Sequence, residues 1–464
     1  MMGSKSLPWF FISAFCYFIP YALIVAQYSR KYADRSGTIY DWLKDSLSPK
    51  AAFVTAFLWY CSYFTWMVSL FMKLMIPLSI LLFGQDLTDQ IHWLNLPAQV
   101  WLACFSIMAV LFVTRLITRG FKTIVAFLKI SSGAMAGLFL LSLGNNLFII
   151  LKEPAQFLPN IQTSFTITSF FEGADTHFLA QAAFFIFSIT AFGGLDTVAS
   201  LVDQIKDSRR RFPKAIIFSA GIITALYFSG IILWSGASNL ASLRQVDQIH
   251  LGNLMYSLMG HSARQLSQFL GLSAQASTLV YQFYIRYTAF TMLTAYISLL
   301  SSITYGPLKS LLKGTPTTIW PKRWIRLNQH QMPERALWLQ AALISLMIFM
   351  VSINNHFLAN LYNQLTYMTN VSRAIPYFIV AASFPFFLKK KMIAKEHLLI
   401  EHYGTNVFLS VSVCLCIFLA IGFQIYEPLR LGNYLNVSTL LLGPCAFGLF
   451  GFWLYKKAET QTIS

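Results

Sequence analysis

Phe187-Ser-Ile-Thr-Ala-Phe-Gly-Gly-Leu-Asp196-Thr-Val-Ala-Ser200 closes an apolar stretch that begins near residue 178. A membrane-crossing helix needs about 20 predominantly apolar residues, and 178–200 meets that length. Two features disturb it. Each glycine of Gly193-Gly194 weakens a helix by about 1 kcal/mol relative to alanine. Asp196 then puts a charge where even the mildest scale asks roughly 2.5–3.5 kcal/mol for one. In a bilayer, backbone freed from its helix is tolerated only where it lines a cavity or is buried in protein. Secondary transporters use such breaks to hold the charged groups of a substrate near the midplane. Close helix packing through small residues is the competing reading of the glycine pair, and Asp196 fits it less well.

Working outward, ten further stretches are apolar enough to cross a membrane: roughly 7–28, 51–83, 97–114, 123–151, 213–236, 278–305, 336–353, 357–388, 404–426 and 434–455. With 178–200 they make eleven spans of an all-α polytopic membrane protein. The 464 residues are 56% hydrophobic and only 11% charged, with a mean hydropathy of +0.59. A soluble domain carries about 25% charged residues, so a soluble protein is excluded. The net charge of +17 is no sign of nucleic acid here. Most Lys and Arg fall in alternate loops, such as Arg30–Lys50, Lys206–Lys214 and Lys309–Arg335, which is the positive-inside pattern and makes those loops cytoplasmic. The chain is then expected to be a multi-pass protein of the cell (inner or plasma) membrane, with its C-terminus cytoplasmic and the N-terminus of this chain outside. The first apolar run is followed, not preceded, by Arg30 and Lys31, unlike a cleavable signal. Segment 237–277 is long enough for short helices across the outer face.

Besides Asp196, four charges fall inside spans: Lys73, Lys129, Arg286 and Arg373. Arg286 and Lys73 lie toward the outer ends of theirs, where long side chains snorkel to the headgroups. Arg373 is more central and is preceded by Tyr367 and Asn370 at helical spacing. It either pairs with Asp196 or faces a permeation path and favours an anionic substrate. Tyr60 and Tyr63 can line the same site, or simply pack. The six cysteines all lie in apolar segments, as small buried residues do. There is no P-loop, no zinc-spaced His/Cys set and no His-Glu-x-x-His, so neither an enzyme nor a cofactor or metal is expected.

Ala191-Phe-Gly-Gly-Leu-Asp196 and the loop Asp203-Gln-Ile-Lys-Asp-Ser-Arg-Arg-Arg-Phe-Pro-Lys-Ala-Ile216 together resemble the sixth helix and following loop of amino acid permeases of the amino acid–polyamine–organocation superfamily. That family often has Glu where this chain has Asp196, and Asn-Pro where it has Asp207-Ser208. Tyr17-Phe-Ile-Pro-Tyr-Ala-Leu with Ser36-Gly-Thr-Ile-Tyr-Asp-Trp42 resembles the family's second helix and the loop after it. Gly306-Pro-Leu-Lys309, Leu327-Asn-Gln-His-Gln-Met-Pro333 and Ala336-Leu-Trp-Leu-Gln340 are similar to the eighth-to-ninth helix region of the glutamate/γ-aminobutyrate antiporter branch.

The resemblance implies two inverted five-helix repeats plus two extra helices, twelve in all. In that register the first family helix is missing and eleven spans remain: 7–151 is the first repeat without its first helix, 178–388 the second, and 404–455 the additional pair. It implies secondary active transport of amino acids by alternating access, through antiport or proton symport, extending to acidic amino acid/GABA-type exchange. The partners are then an amino acid or amine substrate and the lipid bilayer, with no nucleic acid. Substrate is expected at Ala191, Phe192, Gly193, Gly194 and Asp196, with Tyr367 and Arg373 opposite. Lys129 resembles a lysine that replaces a sodium ion in sodium-independent members, bridging helices one and eight, and a buried lysine can cycle its proton. Near the inner face it can also simply snorkel. The broken helix one that binds a substrate carboxylate has no counterpart before Leu7, which leaves a transport-inactive remnant or an interaction protein as the alternative. Only Lys456–Ser464 follows the last span, so no C-terminal plug of the antiporter type is expected.

Overall fold

A computed structural model of the chain describes residues 6–35, 38–88, 97–166, 182, 184–205, 207–238, 253–352, 358–390 and 398–463, with backbone alone for 164–166, 358–367 and 462–463. The described residues are helical, with no strand among them. In chain order the principal helices are α1 (Leu7–Lys31), α2 (Ile39–Lys44), α3 (Pro49–Phe83), α4 (Ala98–Thr118), α5 (Phe121–Lys152), α6 (Pro154–Thr166), α7 (Phe185–Ala191) and α8 (Leu195–Ala199). Then follow α9 (Ser208–Ala237), α10 (Leu254–Phe269), α11 (Ala274–Gly314), α12 (Glu334–Ser352), α13 (Leu358–Lys389), α14 (Tyr403–Arg430) and α15 (Tyr434–Ile463).

Nine of these, among the described residues, are long and apolar enough to cross a membrane. The other two expected spans take different forms. The stretch 178–200 becomes the two short helices α7 and α8, and its residues 178–181 and 183 lie outside the described set. The stretch 278–305 sits inside α11, a helix of 41 residues, about 60 Å long at 1.5 Å per residue. Helix α10 occupies the segment expected to lie across the outer face.

Local sequence sets the helix ends. Ser48 caps α3 by accepting from the Ala51 amide at 3.2 Å, with Pro49 at the first helical position. Gly84 ends it in the left-handed region at φ +75°. Arg286 donates to the Leu81 carbonyl at 3.1 Å, so this guanidinium covers an orphan carbonyl of that helix end.

The helices differ sharply in burial. In α1 and α13, 61% of the most apolar window is buried; in α5 it is 11% and in α9 17%. The bundle centre is therefore α1, α3 and α13, with α14 against α13 and α11 against α3. The largest fully buried side chains come mainly from these three and from α2, among them Tyr17, Tyr21, Trp42, Trp59, Tyr63 and Tyr377. The centre is thus rich in aromatic rings, phenylalanines such as Phe18 and Phe384 beside rings that carry hydroxyl or indole donors, and the latter suit a site that must satisfy buried charge.

One boundary needs correction. Lys309, placed by composition at the start of a basic loop, lies inside α11 and is fully buried. The helix runs on because Ser302–Leu312 packs into the molecule on all sides.

Candidate functional site

The glycine pair does break its helix. Helix α7 ends at Ala191, and Phe192-Gly193-Gly194 is non-helical. Gly194 takes φ +114°, a conformation open mainly to glycine, and α8 starts again at Leu195. Asp196 in α8 is completely buried. Its Oδ2 accepts from the Trp59 indole N–H and from the Tyr63 hydroxyl, the latter at 3.0 Å. The Tyr63 and Tyr377 hydroxyls lie 3.2 Å apart. With the Tyr63 proton on Asp196, Tyr377 is the donor of that bond, and the polar chain runs Tyr377–Tyr63–Asp196.

Arg373 in α13 is 4% exposed. Its guanidinium lies 4.3 Å from the centre of the Trp66 ring and 5.8 Å from that of Tyr63. A desolvated cation over an aromatic face gains about 2 kcal/mol. One Arg373 nitrogen also reaches the Thr190 carbonyl, the last turn before the break, at 3.4 Å. A Cβ on Gly193 would stand 3.6 Å from Arg373 Nη2 and 3.6 Å from the Tyr377 hydroxyl. The break, Arg373 and Tyr377 therefore share one small region.

The direct Asp196–Arg373 ion pair raised by the sequence is not formed. The reason is competition. Trp59 and Tyr63 hold the carboxylate, while Trp66 and the Thr190 carbonyl hold the guanidinium. Tyr63 touches both. Several buried polar atoms here have no hydrogen-bond partner: Asp196 Oδ1, Thr197 Oγ1, Arg373 Nε and the Tyr21 hydroxyl. Unsatisfied buried polar groups cost about 1–3 kcal/mol each, so a cluster of them marks a place that a polar ligand or ordered water completes.

The remaining candidates separate. Phe192 packs into an aromatic cluster, 4.6 Å from Phe18, 5.0 Å from Tyr227 and 5.8 Å from Phe10 between ring centres. The Ala191 carbonyl, at an expected substrate position, accepts from the Tyr227 hydroxyl at 3.1 Å, which occupies one of its two lone pairs. Tyr367 lies on α13, with its side chain outside the described residues. Lys129 is exposed on α5, a helix that packs on α9 and α11. The burial expected of it is not found, because α5 keeps little of its surface inside the bundle. Tyr60 donates to buried Gln340 at 2.8 Å, tying α3 to α12, and has a packing role.

Sequence reasoning missed Trp59, Trp66 and Tyr377. Their signal was present: Trp59, Tyr63 and Trp66 follow at i, i+4 and i+7, and Arg373 and Tyr377 at i, i+4, each set on one helical face. Among the described residues no group of His, Cys, Asp and Glu could hold a metal.

The chain resembles known proteins over nearly its whole length. The amino acid permease family profile matches residues 1–445. The inner membrane transporter YjeM of Salmonella typhimurium (strain LT2) is 32% identical over 466 residues, covering 99% of this chain and 92% of that protein. YjeM of Escherichia coli (strain K12) is 30% identical, covering 98% and 91%. The aspartate/glutamate permease AcaP of Lactococcus lactis subsp. cremoris is 25% identical over 57% of this chain and 50% of its own length. A Gly-Gly break with a buried acid, set in an all-helical membrane bundle, agrees with that match, and the chain belongs to the amino acid permease family.

Proposed function

We propose that this protein is a multi-pass inner-membrane transporter that moves an anionic or zwitterionic amino acid by alternating access, in exchange or with a proton. One observation carries the reading. Two buried opposite charges flank a helix break, are kept apart by an aromatic hydroxyl, and each retains an unsatisfied polar atom. A zwitterion complements that arrangement: its ammonium answers Asp196 Oδ1 and its carboxylate answers Arg373. Charge-assisted bonds of this kind contribute about 1.5–3 kcal/mol each. Family membership supports amino acids as the cargo class. The likeness to an aspartate/glutamate permease and the buried guanidinium support an acidic amino acid or a GABA-type substrate within it. In this reading the coupling group is Lys129, exposed on α5, which the family resemblance and not burial points to.

The test is counterflow in proteoliposomes loaded with L-glutamate, using labelled L-glutamate and GABA outside and L-arginine as the cationic comparison. Saturable glutamate or GABA exchange that is lost in Arg373→Gln supports the reading. Exchange of arginine alone removes it, and no exchange of any of the three by folded protein removes the acidic amino acid or GABA-type substrate.

A further inference from the structure

Lys309 has no exposed side-chain surface, yet it belongs to a stretch whose composition reads as a loop. Its Nζ donates to the Ser200 carbonyl at 3.2 Å and to the Asp203 carboxylate. Ser200 caps the end of α8, and Asp203 lies in the 3-10 turn that follows, Val202–Gln204. Lys309 thus reaches across from α11 to the connector directly downstream of the broken helix. Gly306, one turn earlier, is pressed on the same spot: a Cβ there would fall 2.3 Å from Ser200 Oγ. Ser310, the next residue, has its hydroxyl 2.9 Å from that of Thr38, after α1. The end of α11 therefore grips two segments at the face that the basic loops mark as cytoplasmic.

The contact suits a switch better than a permanent tie. Compared with apolar side chains of the same volume, a buried ion pair adds little net stability, but separating it strands the fully buried Lys309 ammonium, whereas Asp203 is partly exposed and also accepts from the Gln204 amide. It is therefore either made or broken, with little in between. Upstream, Gly194 in its glycine-favoured conformation supplies a joint. The short segment Leu195–Gln204 is bounded by that joint at one end and by the Lys309 contact at the other.

We propose that Lys309 and Asp203 form a latch that holds Leu195–Gln204 against α11 and keeps this face closed. Lys309 is a positioning residue acting through the broken helix. The purpose of the opening rests on the transport reading above; its occurrence does not, and the readout needs no substrate. In a cysteine-free background, Thr197→Cys is labelled with a membrane-impermeant maleimide in inside-out vesicles. Lys309→Met and Asp203→Asn are each expected to speed labelling about tenfold, a shift of about 1.4 kcal/mol in the opening equilibrium. A second reporter, Ala420→Cys, buried in α14, should label no faster in either variant. Unchanged Thr197→Cys labelling in variants that elute as single folded species overturns the latch. So does equal acceleration at Ala420→Cys, which marks general loosening. If Lys309→Met does not fold, Asp203→Asn decides; if neither folds, the pair is a structural tie and the proposal is wrong. Loss of glutamate exchange in Arg373→Gln with normal latch behaviour concerns the substrate site alone.

Discussion

Tyr63 donates its hydroxyl to Asp196 at 3.0 Å while its ring lies beneath the guanidinium of Arg373. One side chain of α3 thus touches the negative charge of α8 and the positive charge of α13. Removing the hydroxyl leaves Asp196 with a single donor, Trp59, and Tyr377 without its acceptor. Tyr63→Phe should lower stability by about 1–3 kcal/mol, seen as a drop in the thermal unfolding midpoint in detergent. An unchanged midpoint would mean that water replaces the bond at no cost.

Asp196→Asn keeps the shape and removes the charge. The Trp59 and Tyr63 donors still find an oxygen, so the fold should survive with a normal elution profile. Transport should fall at least about tenfold, the equivalent of one lost charge-assisted bond. Wild-type exchange kinetics in this variant would take the carboxylate out of substrate binding.

Arg373→Lys is not conservative here, because an ammonium cannot spread over the Trp66 face and reach Thr190 with the same planar fork. For an acidic amino acid the expected result is a KM raised about tenfold with a smaller change in kcat, as for lost binding of one charged group. A KM that stays constant in proteoliposome uptake would place the carboxylate elsewhere.

The two glycines of the break should respond differently to alanine. At Gly194 a Cβ meets open space, so Gly194→Ala carries only the backbone cost of φ +114°, about 1–3 kcal/mol. At Gly193 the backbone is permissive, but the methyl stands 3.1 Å from the Thr190 carbonyl and faces Arg373 and Tyr377. Gly194→Ala should therefore lower the unfolding midpoint, whereas Gly193→Ala should chiefly raise KM. The reverse assignment of midpoint and KM effects would show that the break is not held as described.

Lys129 is exposed on a helix that gives little surface to the bundle, so its removal should leave the Asp196–Tyr63 network intact. If it couples transport, Lys129→Ala abolishes uptake driven by an imposed proton gradient and spares counterflow. Equal loss of both activities excludes it as the coupling group.

The break itself is legible in the sequence, because Gly-Gly followed by an acid inside an apolar run is a local conflict that only a cavity or buried protein resolves. The intramembrane charges were readable for the same reason. The surroundings of Asp196 were not: Trp59 and Tyr63 are 137 and 133 residues away in sequence, and Tyr377 is 314 from Tyr63. Lys309 was misplaced because a basic residue at the end of an apolar run looks the same whether it enters solvent or turns inward to Asp203.

Hydropathy, helix caps and glycine placement act over one or two helical turns, and so this sequence alone determined a polytopic helical membrane protein, the position of the interrupted helix and the charges that had to be explained. Which charge meets which partner was decided by tertiary structure. The opposite charges at 196 and 373 are separated because aromatic donors on α3 and a ring on Trp66 outcompete a direct pair, and Lys309 is buried because α11 packs on the connector after the break. Those outcomes depend on how helices far apart in the chain pack side by side, and no local rule carries that information.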